Sequence, residues 1–125
     1  MLNSLEAAQL SAEAADNKKA FDILILDLRK LTYITDYFII CSAGNSSQVG
    51  AIADGITEAL AKADVHPSHV EGEIEASWVL MDYGDIVVHI FNQQTRIYYS
   101  LEKLWGDAPR VPLATPQGAL DGIPT

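Results

Sequence analysis

Few side chains in this sequence have the type and spacing that chemistry requires. Cys41 and His89 are the one potential nucleophile and base pair. Each lies in an apolar run, where a lone cysteine is ordinarily a small buried hydrophobe and a histidine a hydrogen-bonded structural or interface group. Ser42-Ala43-Gly44-Asn45-Ser46-Ser47 precedes an amphipathic stretch and could offer backbone N–H groups to a phosphate. No Gly-Lys-Ser/Thr follows and there is no GxGxxG, so a helix N-cap is the expected role. Glu71-Gly72-Glu73-Ile74-Glu75 alternates carboxylates, but in an acidic, Gly-containing segment expected to be exposed. Asp82 and Asp85 flank a turn, where carboxylates are common. Two-metal catalysis would need an Asp-x-Asp pair on one strand face, and none exists. His66 and His69 flank Pro67 without a Cys or His cluster around them, so no zinc site is expected.

The elements that must position these groups follow from periodicity. Ser4–Asp16 is rich in helix formers, with Leu2, Leu5, Ala8 and Ala12 as a modest apolar stripe. Phe21–Leu28 reads as a buried strand, Arg29–Asp36 as a connection, and Tyr37–Ser42 as a second strand. Val49, Ile52, Ala53, Ile56, Leu60 and Ala63 then fall on one helical face. Val70–Ala76 is expected to be irregular or a weak edge strand. Ser77–Asp82 and Asp85–Phe91 form a hairpin turning at Tyr83-Gly84. Thr95–Trp105 is a last helix, with Tyr98, Leu101 and Trp105 inward and Tyr99, Glu102 and Lys103 pointing elsewhere. Four of the five prolines lie in the last eighteen residues, so 109–125 reads as a disordered tail behind a single domain at 1–108. The fold class expected is α/β: a small mixed sheet flanked by helices in the order α-β-β-α-β-β-α.

Composition narrows the function. The 125 residues carry a formal net charge of −9 and are 49% hydrophobic, which suits one folded domain with an ordinary core. A single cysteine cannot form an internal disulfide. The longest apolar runs are four residues, and no signal or transit segment opens the chain, so a soluble cytosolic protein is expected. The eight basic residues are scattered, and residues 64–107 alone carry a net charge of −6. Such a surface repels free nucleic acid and suits a basic partner.

Taken together, the segments resemble the ribosomal silencing factors, the RsfS, Iojap and YbeB family. The likeness runs through Asp22–Leu28, Thr35–Ile40, Ser46–Val49 with Ala53, Glu71-Gly72, Trp78–Phe91, Arg96, Tyr98-Tyr99 and Leu101–Ala108, covering roughly residues 4–108. The hairpin and the Leu-Glu-Lys-Leu-Trp block are its most specific parts. The resemblance implies a nucleotidyltransferase-like fold without the catalytic carboxylates. It also implies a non-enzymatic factor that binds the fourteenth protein of the large ribosomal subunit, blocks joining of the small subunit and represses translation, often as a homodimer. No cofactor or metal and no direct sequence-specific nucleic-acid contact is expected. The alternative is an enzyme of that fold acting on a nucleotide, through the Gly44 turn and Asp82 or Asp85. The expected contact face is the hairpin and final helix: Trp78, Asp82, His89, Tyr99, Glu102 and Lys103. There aromatic anchors lie beside carboxylates that can accept charge-assisted hydrogen bonds from Arg or Lys.

Overall fold

The computed structural model describes residues 2–72, 78–93 and 108–113. Its elements are α1 (Ser4–Asn17), β1 (Phe21–Asp27), β2 (Tyr37–Ala43), α2 (Ser46–Ala61), β3 (His69–Glu71), β4 (Trp78–Asp82) and β5 (Ile86–Asn92). The expected final helix at Thr95–Trp105 lies outside the described residues, as do Tyr99, Glu102 and Lys103.

The five strands form one mixed sheet in the order β1-β2-β5-β4-β3. Only β2 and β5 run parallel, in register from Tyr37↔Ile86 to Ala43↔Asn92. A parallel pair needs a long crossover, and α2 with the β3–β4 excursion supplies it. The hairpin turns one residue later than the sequence suggested. Tyr83 N–H donates to the Ile86 carbonyl at 2.9 Å, so Gly84 and Asp85 are the central pair. Gly84 has φ +88°, the backbone that primed hairpin turns require and that glycine adopts without strain. The expected weak edge strand is present as β3, where His69, Val70 and Glu71 pair with β4; residues 73–76 of the expected stretch lie outside the described residues.

α1 and α2 cover one face of the sheet, with Ile23, Ile25, Ile39, Cys41, Met81, Val88 and Ile90 buried in the core they share. In α2 the face Val49, Ile52, Ile56 and Leu60 is buried as its spacing requires, and Ala53 is partly so. In α1 the stripe read from the sequence is rotated. Leu5 is exposed and the buried face is Ala7, Ala8, Ser11, Ala12, Ala14 and Ala15. Small side chains let α1 approach the sheet and α2 closely, and this outweighs the burial of a few leucines. Asn3 and Glu6 close a capping box at the start of α1.

The chain after Ala108 does not begin as a free tail. Pro109 accepts the Asp27 N–H at 2.7 Å, Val111 donates to the Ile25 carbonyl at 2.9 Å, and Arg110 bridges Leu26. Val111 and Leu113 pack on the helix-side core, and Ala108 is buried on the other side of the sheet. Proline composition misled here because an edge position tolerates prolines whose missing N–H would face solvent. The unpaired edge of β1 gains partners in return. None of the described helices is long and apolar enough to cross a membrane.

Candidate functional site

Strand alternation decides which candidates can meet. Trp78, Leu80 and Asp82 share a face of β4 and are half-buried, while Val79 and Met81 point into the helix-side core. The register sets Leu80 beside His89, Trp78 beside Phe91 and Asp82 beside Val87. On β2, Phe38 and Ile40 continue the same face, with Ile40 beside His89. The side of the sheet opposite α1 and α2 is therefore apolar and aromatic with a histidine at its centre; Ile40, His89 and Phe91 are buried there, and Trp78, Leu80 and Asp82 are half-buried.

That histidine is fastened. The Trp78 indole Nε1–H donates to His89 Nδ1 at 3.2 Å. Phe38 meets the imidazole edge-on at 4.5 Å between centroids, and Trp78 stacks on Phe91 at 5.1 Å. His89 is only 4% exposed, and its Nε2 has no hydrogen-bond partner. Burial lowers its pKa to about 4, so the ring is neutral at neutral pH. Accepting at Nδ1 puts the single proton of the neutral ring on Nε2. The structure thus corrects one expected contact: His89 holds Trp78 in place from beneath and is too enclosed to be a primary partner contact.

Asp82 sits at the rim of this surface, and its Oδ1 accepts the Gly84 N–H at 2.8 Å. The bond fixes the turn and leaves the other carboxylate oxygen for a partner. Of the six residues expected at the contact face, Trp78 and His89 touch. Asp82 lies on the same face further along β4, and Tyr99, Glu102 and Lys103 are outside the described residues.

The catalytic candidates separate. Cys41 belongs to the helix-side core and His89 to the opposite face, so the sheet stands between them. In the Gly44 turn, Gln48 Oε1 takes the Gly44 N–H at 2.6 Å and Asn45 Oδ1 takes the Gln48 N–H at 2.9 Å, as an N-cap should. The Gln48 amide also donates to the Lys19 carbonyl at 2.9 Å, pinning the α1–β1 turn to the start of α2. His66 and His69 pair with Asp64 and Glu71, at 3.2 and 2.8 Å, on exposed ground. Among the described residues no group of His, Cys, Asp or Glu is arranged to hold a metal ion.

One feature was hidden in the Arg29–Asp36 connection. Tyr33 and Ile34 are 105% and 87% exposed, and Leu31 stands out beside them. The loop is anchored at its base, where the Asp27 carboxylate receives the Arg29 guanidinium at 2.7 and 3.0 Å. That pairing holds the Asp27 pKa below its usual value. Apolar residues inside a connection were the available signal, because a loop gains nothing from them unless something covers them.

Among the described residues, a mixed sheet carries α1 and α2 on one side and the Phe38, Trp78, His89 and Phe91 cluster on the other. Comparison with known proteins gives that architecture a family. The family described as "Ribosomal silencing factor during starvation" (RsfS) matches residues 2–122. A Bacillus subtilis protein named ribosomal silencing factor RsfS is 44% identical over 108 residues, spanning 86% of this chain and 92% of its own. A relative of the same name from Halalkalibacterium halodurans is 41% identical, spanning 90% and 96%. A crystal structure of a Chromobacterium violaceum protein superposes with a TM-score of 0.81 at 34% identity, covering 90% of this chain and 93% of that one. The chain belongs to the RsfS family of ribosomal silencing factors.

Proposed function

We propose that this chain binds the large ribosomal subunit through its fourteenth protein and, by occupying that face, keeps the small subunit from joining and represses translation. It acts as a steric block in the cytoplasm, without turnover of a substrate. The observation that carries this reading is the half-buried Trp78–Leu80–Asp82 row on the face of the sheet opposite α1 and α2, in a chain of this family. Trp78 offers a large, preset aromatic area, and its indole is already oriented by His89. Asp82 adds a carboxylate at the rim, and a net charge of −9 steers the protein toward the basic proteins of a ribosome. Tyr99, Glu102 and Lys103 extend the proposed contact beyond the described residues. A second copy of the chain is a further proposed partner.

Co-sedimentation with isolated large subunits tests the reading. The wild-type chain should travel with them through a sucrose gradient. Leu80→Glu, which places a charge in the middle of the face without entering the helix-side core, should stay at the top. Wild-type protein that fails to co-sediment would refute the proposal. Nucleotide turnover dependent on magnesium and lost in Asp82→Ala or Asp85→Ala would favour an enzyme instead.

A further inference from the structure

The Arg29–Asp36 connection turns its apolar side chains outward on a fixed base. Leu31 and Thr32 both donate their N–H groups to the Leu28 carbonyl, at 2.9 and 3.0 Å, and the Leu28 N–H returns to the Asp36 carbonyl at 2.9 Å. The Thr32 hydroxyl oxygen accepts the Ile34 N–H at 3.2 Å. The tip is thereby preset, and Leu31, Tyr33 and Ile34 together expose on the order of 400 Å². Apolar patches of that size are often functional. The far end of the connection abuts the β4–β5 turn, where Asp36 and Tyr37 both donate to the Asp85 carbonyl, at 2.9 and 3.3 Å. The apolar tip thus stands at the end of the sheet where the Trp78–Leu80–Asp82 row of β4 runs out, beside the carboxylates of Asp82 and Asp85.

The charges around the tip decide what it fits. A nucleic acid needs cations, but the Arg29 guanidinium is taken by Asp27 and lies over the Tyr37 ring. Lys30 is then left alone in the loop to meet a phosphate, with Asp36 and Asp85 close by. A second copy meeting the tip across a two-fold axis would bring Asp36 and Asp85 of both chains together. The tip also falls short of the roughly 800 Å² per partner that a stable dimer buries. A basic protein surface complements the carboxylates and can seat the apolar tip in a pocket. We propose that Tyr33 and Ile34 form a second anchor on the basic large-subunit protein named in the proposed function, entering an apolar pocket whose rim turns Lys or Arg toward Asp82 and Asp85. This inference rests on that reading. It extends the contact from half-buried side chains on β4 to side chains already free of the fold, so seating them disturbs no core packing.

A pelleting titration of the full chain against isolated large subunits tests the inference, with Tyr33→Ser and Ile34→Ser combined in one variant. Both side chains are exposed, so the variant should keep the wild-type Tm. It should bind the subunits about tenfold or more weakly than wild type. Large-subunit RNA stripped of protein should retain neither chain. Wild type and variant that bind the subunits equally overturn the inference and leave the proposed function standing. Wild type that binds no subunits overturns both. Retention of the wild type on stripped RNA, lost in the variant, would assign the tip to nucleic acid and refute the proposal. Self-association of the wild type that the variant loses, with subunit affinity unchanged, would assign the tip to a second copy and also refute it.

Discussion

Acid should unfold this protein earlier than its carboxylates alone require, because of His89. Its neutral ring accepts the Trp78 indole N–H at Nδ1, between Phe38 and Phe91 and beside Ile40 and Leu80. Protonation would turn Nδ1 into a donor facing a donor and place a charge in apolar surroundings. The folded pKa of about 4 lies below the ordinary 6.5, so the unfolded chain takes up the proton first. The stability is therefore fully present above pH 6.5 and is lost as the pH falls from there toward 4. Between pH 7.5 and pH 5 the linkage gives a loss of about 2 kcal/mol from this one residue. Asp27, whose carboxyl is held below its usual value by Arg29, acts in the same direction but only at lower pH. Urea denaturation at pH 7.5 and pH 5 measures the loss in the wild type and in His89→Leu. The variant should be less stable at pH 7.5, since Trp78 loses its acceptor, yet nearly flat between the two values. A wild type and variant that lose the same stability on acidification would refute the reasoning.

Other consequences can be measured on the same footing. Truncation after Ala108 removes two backbone hydrogen bonds to β1 and the packing of Val111 and Leu113, and should cost about 2–4 kcal/mol in urea denaturation. Gln48→Ala frees the Gly44 N–H and the Lys19 carbonyl and should cost about 1–2 kcal/mol, read as a lowered Tm. Gly72 has φ +100°, and an added Cβ would stand 2.6 Å from the Trp78 carbonyl oxygen. Gly72→Ala should therefore destabilise by about 1–3 kcal/mol and disturb Trp78, seen as a change in its fluorescence. Tyr33→Ser should leave stability within about 0.5 kcal/mol of wild type, because the side chain is fully exposed.

The sequence was most legible where burial is dense. β1, β2 and β5 follow from short apolar runs, and the α2 face follows from four large residues at helical spacing. β3 was harder, because all three of its residues are exposed and no apolar alternation marks them. The α1 face was misjudged because alanines carry the contact and leucines do not. The docking of 109–113 could not be read locally, since its hydrogen bonds go to β1, more than eighty residues away. At the candidate site, alternation with Val87 and Phe91 placed His89 on their face. Its partner, Trp78, is fixed only by the hairpin register. Composition gave the acidic character of the surface but not which groups stay free of intramolecular bonds, as the Asp82–Gly84 contact illustrates.

On the proposed reading, the Trp78–Leu80–Asp82 face covers the large subunit and thereby blocks the small one. Purified large and small subunits, mixed at a magnesium concentration that supports joining, test it most directly when the joined fraction is read by gradient sedimentation. Wild-type protein should lower that fraction in proportion to its occupancy of the large subunit. Leu80→Glu, checked by circular dichroism to be folded, should leave joining unimpaired. Joining that proceeds normally beside bound wild-type protein, or that folded Leu80→Glu inhibits as strongly as wild type, would contradict the claim.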